Sequence, residues 1–228
     1  MKFLLTSSGI RNASIADALT DLLGKPVSES RALVVPTGVH PFPGGTASAW
    51  EAITGKEGVP LTALGWKSMG VLELTALPTI RRENWVPAVE EADALLVWGG
   101  DVLYLTHWMR ESGLADLLPA LDLVYVGVSA GSITVTPYNC DAEFDREFVP
   151  DGSDMAQGAD RALGLVDFTL YPHLNDPDME DTALANIEKW ASMIPVPTYA
   201  IDDETAIVVV DGNERVVSEG DWVLLNAG

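Results

Sequence analysis

Cysteine and histidine are scarce in this sequence. Cys140 is the only cysteine among the 228 residues, which excludes a disulfide within the chain. We expect it to be a buried or half-buried thiol, because no neighbouring residue would activate it as a nucleophile. The three histidines, His40, His107 and His173, are scattered and lack the His-x-x-x-His spacing of a zinc site. We therefore expect neither a metal nor another cofactor.

Basic residues are also few. The chain has 13 Lys and Arg against 34 Asp and Glu, which gives a formal net charge of −21. Because such a charge repels polyanions, we expect no nucleic acid and no membrane among the partners. Most of this charge is typical of a solvated surface, although a cationic ligand remains open. The oligomeric state is also left open.

Long apolar runs are absent too. No segment reaches the roughly 18 to 20 apolar residues that span a bilayer. The apolar start of the chain, residues 3–5, is too short for the core of a signal peptide and is better interpreted as a first buried strand. We therefore expect a cytoplasmic protein.

The sequence does contain short apolar runs that alternate with segments of helical periodicity. The runs are residues 3–5, 32–35, 71–74, 94–97 and 123–126. Unbroken apolar runs of this length are typical of strands covered on both faces. The spacing of apolar residues predicts helices over residues 15–23 and 184–194. This alternation predicts one α/β domain, residues 1–228, with helices on both faces of a mostly parallel sheet.

The C-terminal part has a different pattern. Three strand-like runs, residues 206–210, 214–218 and 222–226, are separated by turn sequences at 211–213 and 219–221. Both turns resemble hairpin turns, so we expect an antiparallel flap at the sheet edge. Residues 139–164 are acidic and weakly periodic, which predicts a long loop near the site.

Ser129 lies in the sequence Gly127-Val128-Ser129-Ala130-Gly131, after an apolar strand and before a predicted helix over residues 132–136. This is the G-x-S-x-G pattern of a nucleophile elbow, in which small neighbours permit a sharp, strained turn. The backbone N–H groups at the start of the helix face a developing oxyanion. We predict that Ser129 is a nucleophile; the alternative is an ordinary strand-to-helix turn.

His173 is the best candidate for the base, because it follows another strand-like run and sites form at such strand ends. His107 belongs to a predicted helix and is expected to pack or to be solvated, and His40 lies in a proline-rich loop. An orienting carboxylate is expected from residues 202–204, three adjacent acids at a strand junction. A second oxyanion donor is expected from Gly99-Gly100, which follow the apolar strand at residues 94–97.

The chain order of serine, histidine and acid resembles the aspartyl dipeptidase (dipeptidase E) and cyanophycinase family. The resemblance is carried by residues 5–7, 98–101, 129–132, 172–173 and 203–206. It implies a serine peptidase on a three-layer α/β/α, class I glutamine amidotransferase-like fold of the flavodoxin-like type.

The resemblance also implies roles for single residues. It assigns Ser129 as the nucleophile, His173 as the general base and Asp203 as the acid, with Glu204 as the alternative. The oxyanion would bind the N–H groups of Gly100 and Ala130. The residues implied to contact substrate are Gly99, Asp101 and Asp141.

Three departures from the family pattern bear on function. Trp98 replaces a family glycine, and Asp101 replaces an asparagine. The family's dipeptidase carries arginines after the histidine, whereas residues 178–183 contain no basic residue. We therefore expect hydrolysis of short peptides without an aspartyl preference. A cyanophycinase-like activity on β-Asp-Arg linkages and a non-catalytic, amidotransferase-like binding protein are the alternatives.

Overall fold

The computed structural model describes residues 1–56, 61–139, 148 and 161–227, which contain ten strands and seven α-helices. The strands are β1 (Lys2–Thr6), β2 (Arg31–Val35), β3 (Ser68–Val71), β4 (Ala94–Val97), β5 (Val124–Val128), β6 (Thr169–Tyr171), β7 (Thr198–Ile201), β8 (Thr205–Val210), β9 (Asn213–Ser218) and β10 (Trp222–Leu225). The helices are α1 (Ala13–Leu23), α2 (Gly45–Thr54), α3 (Val86–Glu90), α4 (Val102–Glu111), α5 (Leu114–Leu117), α6 (Ala130–Ile133) and α7 (Leu184–Ala191). None of the helices in these described ranges has the length and apolar character needed to cross a bilayer.

Seven strands form the main sheet, in the order β3-β2-β4-β5-β1-β8-β9. The first five are mutually parallel, and β8 and β9 complete the sheet as an antiparallel hairpin beside β1. The prediction of a mostly parallel sheet with an antiparallel C-terminal addition is therefore confirmed. Because parallel strands end at the same edge, the residues that follow β1, β4 and β5 are brought together.

The unbroken apolar runs are explained by two cores, one on each face of the main sheet. Alternate residues of β1 belong to different cores: Phe3 and Leu5 pack on one face, and Leu4 packs on the other. Helix α4 contributes Met109 to the first core, whereas α1 contributes Leu19 to the second. The result is three layers, helix, sheet and helix.

A second sheet of three strands has the order β10-β7-β6. Strands β6 and β7 are parallel, and β10 is antiparallel to β7. Helix α7 covers this sheet through Ile187, which belongs to one apolar cluster with Tyr171 and Ala200. The carboxyl ends of β6 and β7 thereby reach the same region as those of the main sheet.

The predicted hairpin at residues 219–221 is wrong, because β10 does not pair with β9. Asp202, which follows β7, accepts the backbone N–H of Asp221 at 2.5 Å, and its own N–H donates to the Asp221 carbonyl. These two bonds direct β10 into the smaller sheet.

Three predicted boundaries also differ. The third strand lies at residues 68–71 and not at 71–74, because the Glu73 carboxylate accepts the Thr75 N–H and starts a 3-10 turn there. The helix after the serine begins at Ala130 and ends at Ile133. Helix α7 ends at Ala191, before Ile194. Most of the loop predicted over residues 139–164 lies outside the described residues.

Candidate active site

Strand ends from both sheets meet at one place. Ser129 follows β5 of the main sheet, and His173 follows β6 of the smaller sheet. Asp203 lies in the three-residue link that leads from β7 to β8. Three side chains that are distant in the sequence therefore converge where the two sheets adjoin.

Ser129 has a strained backbone, with φ 50° and ψ −117°. Such a conformation is costly for a residue with a side chain and is typical of functional turns. The turn depends on close approach of its neighbours: a Cβ on Gly131 would lie 2.2 Å from the Val97 carbonyl oxygen. The Ser129 N–H donates to the Thr6 carbonyl of β1 at 3.1 Å, which fixes the elbow to the sheet.

His173 joins the serine to a carboxylate. Its Nε2 lies 2.9 Å from the Ser129 Oγ, and its Nδ1 lies 2.9 Å from Asp203 Oδ1. A carboxylate only accepts hydrogen bonds, so the proton belongs on Nδ1 and Nε2 is free to accept from the serine hydroxyl. This is the arrangement that activates a serine for attack on a carbonyl.

The three adjacent acids after β7 point in different directions. Asp202 binds the backbone of its own turn, accepting the Glu204 N–H at 3.1 Å. Asp203 contacts His173, whereas the Glu204 carboxylate accepts from Asn12 Nδ2 at 3.1 Å. The structure therefore brings Asp203 to the histidine and places Glu204 against the start of α1.

The electrostatics of this contact favour a charged Asp203. A hydrogen bond with His173, together with one from Ser7, lowers the pKa of the Asp203 carboxyl from 3.8 to about 2, although partial burial acts in the opposite direction. The carboxylate is thus ionised at neutral pH and can stabilise an imidazolium.

The candidate oxyanion donors lie beside the serine. Gly100 and Ala130 both line the cavity that contains Ser129. Gly100 has φ 121°, and a Cβ there would lie 2.2 Å from the Gly38 carbonyl oxygen, so this position requires glycine. A Cβ on Gly99 would lie 3.3 Å from the Ser129 Cβ, which places the Gly99 backbone against Ser129.

Asp101 caps a helix, and Trp98 packs against a core. Asp101 is 1% exposed, and its carboxylate caps α4 by accepting the Tyr104 N–H at 2.6 Å. Asp101 is absent from the described lining of the cavity beside Ser129, so its contact with substrate stays a prediction. Trp98 packs against the core that contains α1. Cys140 and Asp141 lie outside the described residues.

The other two histidines have partners elsewhere. His40 Nε2 lies 2.9 Å from Glu73 Oε2, in the loop after β2. His107 is buried in α4 with its ring against Trp108, and burial lowers its pKa. Neither ring contacts Ser129.

The cavity beside Ser129 has a volume of about 480 Å³. Its described lining is Gly100, Val102, Ser129, Ala130, Ile133, Tyr171, Pro172, His173, Asp178, Met179, Glu180, Asp181 and Thr182. Three of these are exposed acids, and none of the described lining residues is Lys or Arg. The walls therefore suit a positively charged group better than a carboxylate.

One group of described residues has the proximity that a metal ion needs. His173, Asp176 and Asp203 each offer a ligand atom within 4.8 Å of the others. Both ring nitrogens of His173 already have partners, namely Asp203 and Ser129. An ion bound here would take one of these nitrogens and so compete with activation of the serine.

Ser7 is a residue that the sequence analysis assigned no role. Its hydroxyl contacts both Asp203 and His173. One feature of the sequence could have indicated a role for Ser7, namely its position directly after β1. The structure places this strand between β5 and β8.

Comparison with known proteins identifies the chain as a peptidase. A model of peptidase family S51 matches residues 3–217, and the chain belongs to this family. It is 29% identical over 194 residues to peptidase E of Salmonella arizonae, an alignment that covers 81% of this chain and 73% of the relative.

Two solved structures share the fold. A Listeria monocytogenes EGD-e protein, provisionally named peptidase E, has a TM-score of 0.69 and 18% identity, and the match covers 96% of this chain and 98% of that one. A peptidase from an acI-B1 Actinobacterium has a TM-score of 0.63 and 18% identity, with 100% and 94% covered. At this identity the likeness bears on the fold alone.

Proposed function

We propose that this peptidase is a serine hydrolase of short peptides that works through Ser129, His173 and Asp203. The observation that carries the proposal is the continuous hydrogen-bonded chain from the Ser129 Oγ through both ring nitrogens of His173 to Asp203, with 2.9 Å at each step. The strained elbow at Ser129 supports it, because strain of this kind concentrates at functional residues.

The reaction would run in two stages. Ser129 Oγ attacks the scissile carbonyl while its proton passes to His173 Nε2, and the oxyanion accepts from the N–H groups of Gly100 and Ala130. The C–N bond then breaks, the amine takes the proton from His173, and an acyl-enzyme remains. A water molecule gives a proton to His173 and attacks the ester carbonyl. The bond to the Ser129 Oγ then breaks, Oγ takes the proton back from His173, and the acid product is released. Asp203 stabilises the imidazolium in both stages.

The acidic walls suggest which substrates fit. Asp178, Glu180 and Asp181 line the cavity without a described basic partner. These carboxylates would attract a free α-amino group or a basic side chain of a substrate, and they would repel an N-terminal aspartyl side chain. We therefore expect short peptides with a free N-terminus, and basic residues favoured over acidic ones.

A cyanophycinase-like activity is the second candidate, because an arginine side chain in a β-Asp-Arg substrate would meet the same acidic walls. A non-catalytic binding protein has less support, since Trp98 packs against a core and Asp101 caps a helix, so both departures have a structural use.

The test is a dipeptide panel with acidic, neutral and basic N-terminal residues, together with β-Asp-Arg. Wild-type protein should hydrolyse members of the panel, and Ser129→Ala should not. A fluorophosphonate probe should label wild-type protein and leave Ser129→Ala unlabelled. Full activity in Ser129→Ala would refute the mechanism, and a clear preference for N-terminal Asp would refute the substrate assignment.

A further inference from the structure

We propose that Ser7 is a positioning residue of the active site, which holds Asp203 and His173 so that His173 can accept the proton of Ser129. This inference rests on the proposed Ser-His-Asp mechanism. Ser7 is 0% exposed and is absent from the described lining of the cavity. It therefore acts through its neighbours and does not contact substrate.

The fold places Ser7 at the centre of the site. Thr6, the last residue of β1, pairs with Val128 of β5 on one side and with Ala206 of β8 on the other. The residue after Thr6 therefore lies between the elbow that follows β5 and the acidic link that precedes β8. No other strand of the described sheet has both of these neighbours.

The hydroxyl of Ser7 has three polar contacts. It donates to Asp203 Oδ1 at 2.5 Å and accepts the backbone N–H of His173 at 2.9 Å. It also lies 3.1 Å from His173 Nδ1. These contacts use the one proton and both lone pairs that a hydroxyl has.

This pattern selects the tautomer of His173. Asp203 is an ionised acceptor, so the single proton of Ser7 is directed to the carboxylate and only lone pairs face Nδ1. Nδ1 then meets two acceptors, Asp203 and Ser7, and both favour a proton on that nitrogen. Nε2 is left unprotonated, as proton transfer from Ser129 requires.

Ser7 also stabilises an unfavourable backbone. His173 has φ 60°, in the left-handed region that residues with a side chain rarely adopt. The His173 N–H lies beyond the end of β6, and it donates to the Ser7 Oγ. Removing the hydroxyl would free both the backbone and the ring of the base.

The test compares two buried serines. Ser7→Ala should lower kcat for a dipeptide about tenfold to a hundredfold, as for the loss of a hydrogen bond to a charged group, and leave KM unchanged. Ser30 is the matched control: it is also 0% exposed, and its hydroxyl donates to the Pro26 carbonyl at 3.0 Å, outside the site. Ser30→Ala should keep the wild-type kcat.

Two further measurements separate positioning from packing. Ser7→Cys keeps the side-chain shape with a somewhat larger atom, and its thiol is a poor hydrogen-bonding group, so the variant should fold and show the same loss of kcat. In an Asp203→Asn background, Ser7→Ala should lower kcat by less than about threefold, because residues that act through each other are not additive. In a nitrogen-15 spectrum of the histidines, the His173 ring proton should reside on Nδ1 in wild-type protein.

The outcomes also separate this inference from the mechanism on which it rests. Activity in Ser129→Ala would overturn both. An inactive Ser129→Ala beside a fully active, folded Ser7→Ala or Ser7→Cys would overturn only the role of Ser7. The role of Ser7 alone would also be overturned by any of three results: a change in KM without a change in kcat, additive losses of kcat in the Asp203→Asn background, or a His173 ring proton on Nε2.

Discussion

Replacing Asp203 by Asn isolates the charge of the triad from its shape. The two side chains have nearly the same volume, so packing around His173 is retained. The amide, however, has an NH₂ group that can face Nδ1, now 2.9 Å from Oδ1. That contact would favour an unprotonated Nδ1 and a proton on Nε2, where the proton blocks acceptance from Ser129.

The expected loss follows from this inverted tautomer. An Asp-to-Asn change of this kind in a serine triad lowers kcat by about 10⁴-fold. At about 1.4 kcal/mol for each tenfold change, that is roughly 5 to 6 kcal/mol of activation free energy. KM should change little, because Asp203 does not line the described cavity.

Glu204→Gln is the matched control, since it removes one negative charge from the next residue. The Glu204 carboxylate accepts from Asn12 and makes no described contact with His173. Its kcat should stay within about threefold of wild type, because this half-buried carboxylate is bonded to Asn12 and not to the triad. Dipeptide hydrolysis under saturating substrate, with a melting curve for each variant, is the assay. Equal losses in the two variants, or an Asp203→Asn enzyme within tenfold of wild type, would refute the assignment.

Three other predictions concern stability. The folded pKa of Asp203, about 2, lies below 3.8, so its contribution is fully present well above pH 4 and is lost as the pH falls toward 2. After screening at this partly exposed carboxylate, the contribution is about 1 kcal/mol. Urea titrations of wild type and Asp203→Asn should differ by that amount at pH 6, and the difference should shrink as the pH falls toward 2. Gly131→Ala should lower the free energy of unfolding by about 1 to 3 kcal/mol, because its Cβ would overlap the Val97 carbonyl; an unchanged Tm would contradict this packing. Asp101→Ala should lower the free energy of unfolding by about 1 kcal/mol, because it removes the cap of α4, whereas Asp101→Asn should retain most of that stability. KM should be unchanged in both variants. A higher KM in either would indicate that Asp101 contacts substrate.

The main sheet could be predicted from the sequence because its strands are buried on both faces. Leu4 and Leu5 enter opposite cores, so their run is apolar throughout. The errors in the predicted strand boundaries and in the predicted hairpin have one cause, which is hydrogen bonding of single side chains to the backbone. The carboxylate of Glu73 starts a turn where a strand was expected, and that of Asp202 draws β10 into the other sheet. Apolar periodicity carries no information about such bonds.

The site was predictable where a residue has a local pattern. Ser129 has its elbow, and His173 follows a strand. Asp203 and Glu204 could not be distinguished, because neighbours in a turn diverge according to the backbone there. The contacts of Ser7 join it to residues 166 and 196 positions away, and no short motif records such contacts.

The division of the triad between two sheets links activity to their docking. Ser129 belongs to the larger sheet, His173 to the smaller one, and Asp203 to the link between them. A shift of one sheet relative to the other by about 1 Å would break the 2.9 Å hydrogen bond between His173 Nε2 and Ser129 Oγ. The hydrogen bonds within each sheet would be unaffected by such a shift. If the proposed triad is catalytic, we expect activity to be lost before either sheet unfolds, so that residual turnover during denaturation reports on the contact between the sheets and not on the fold.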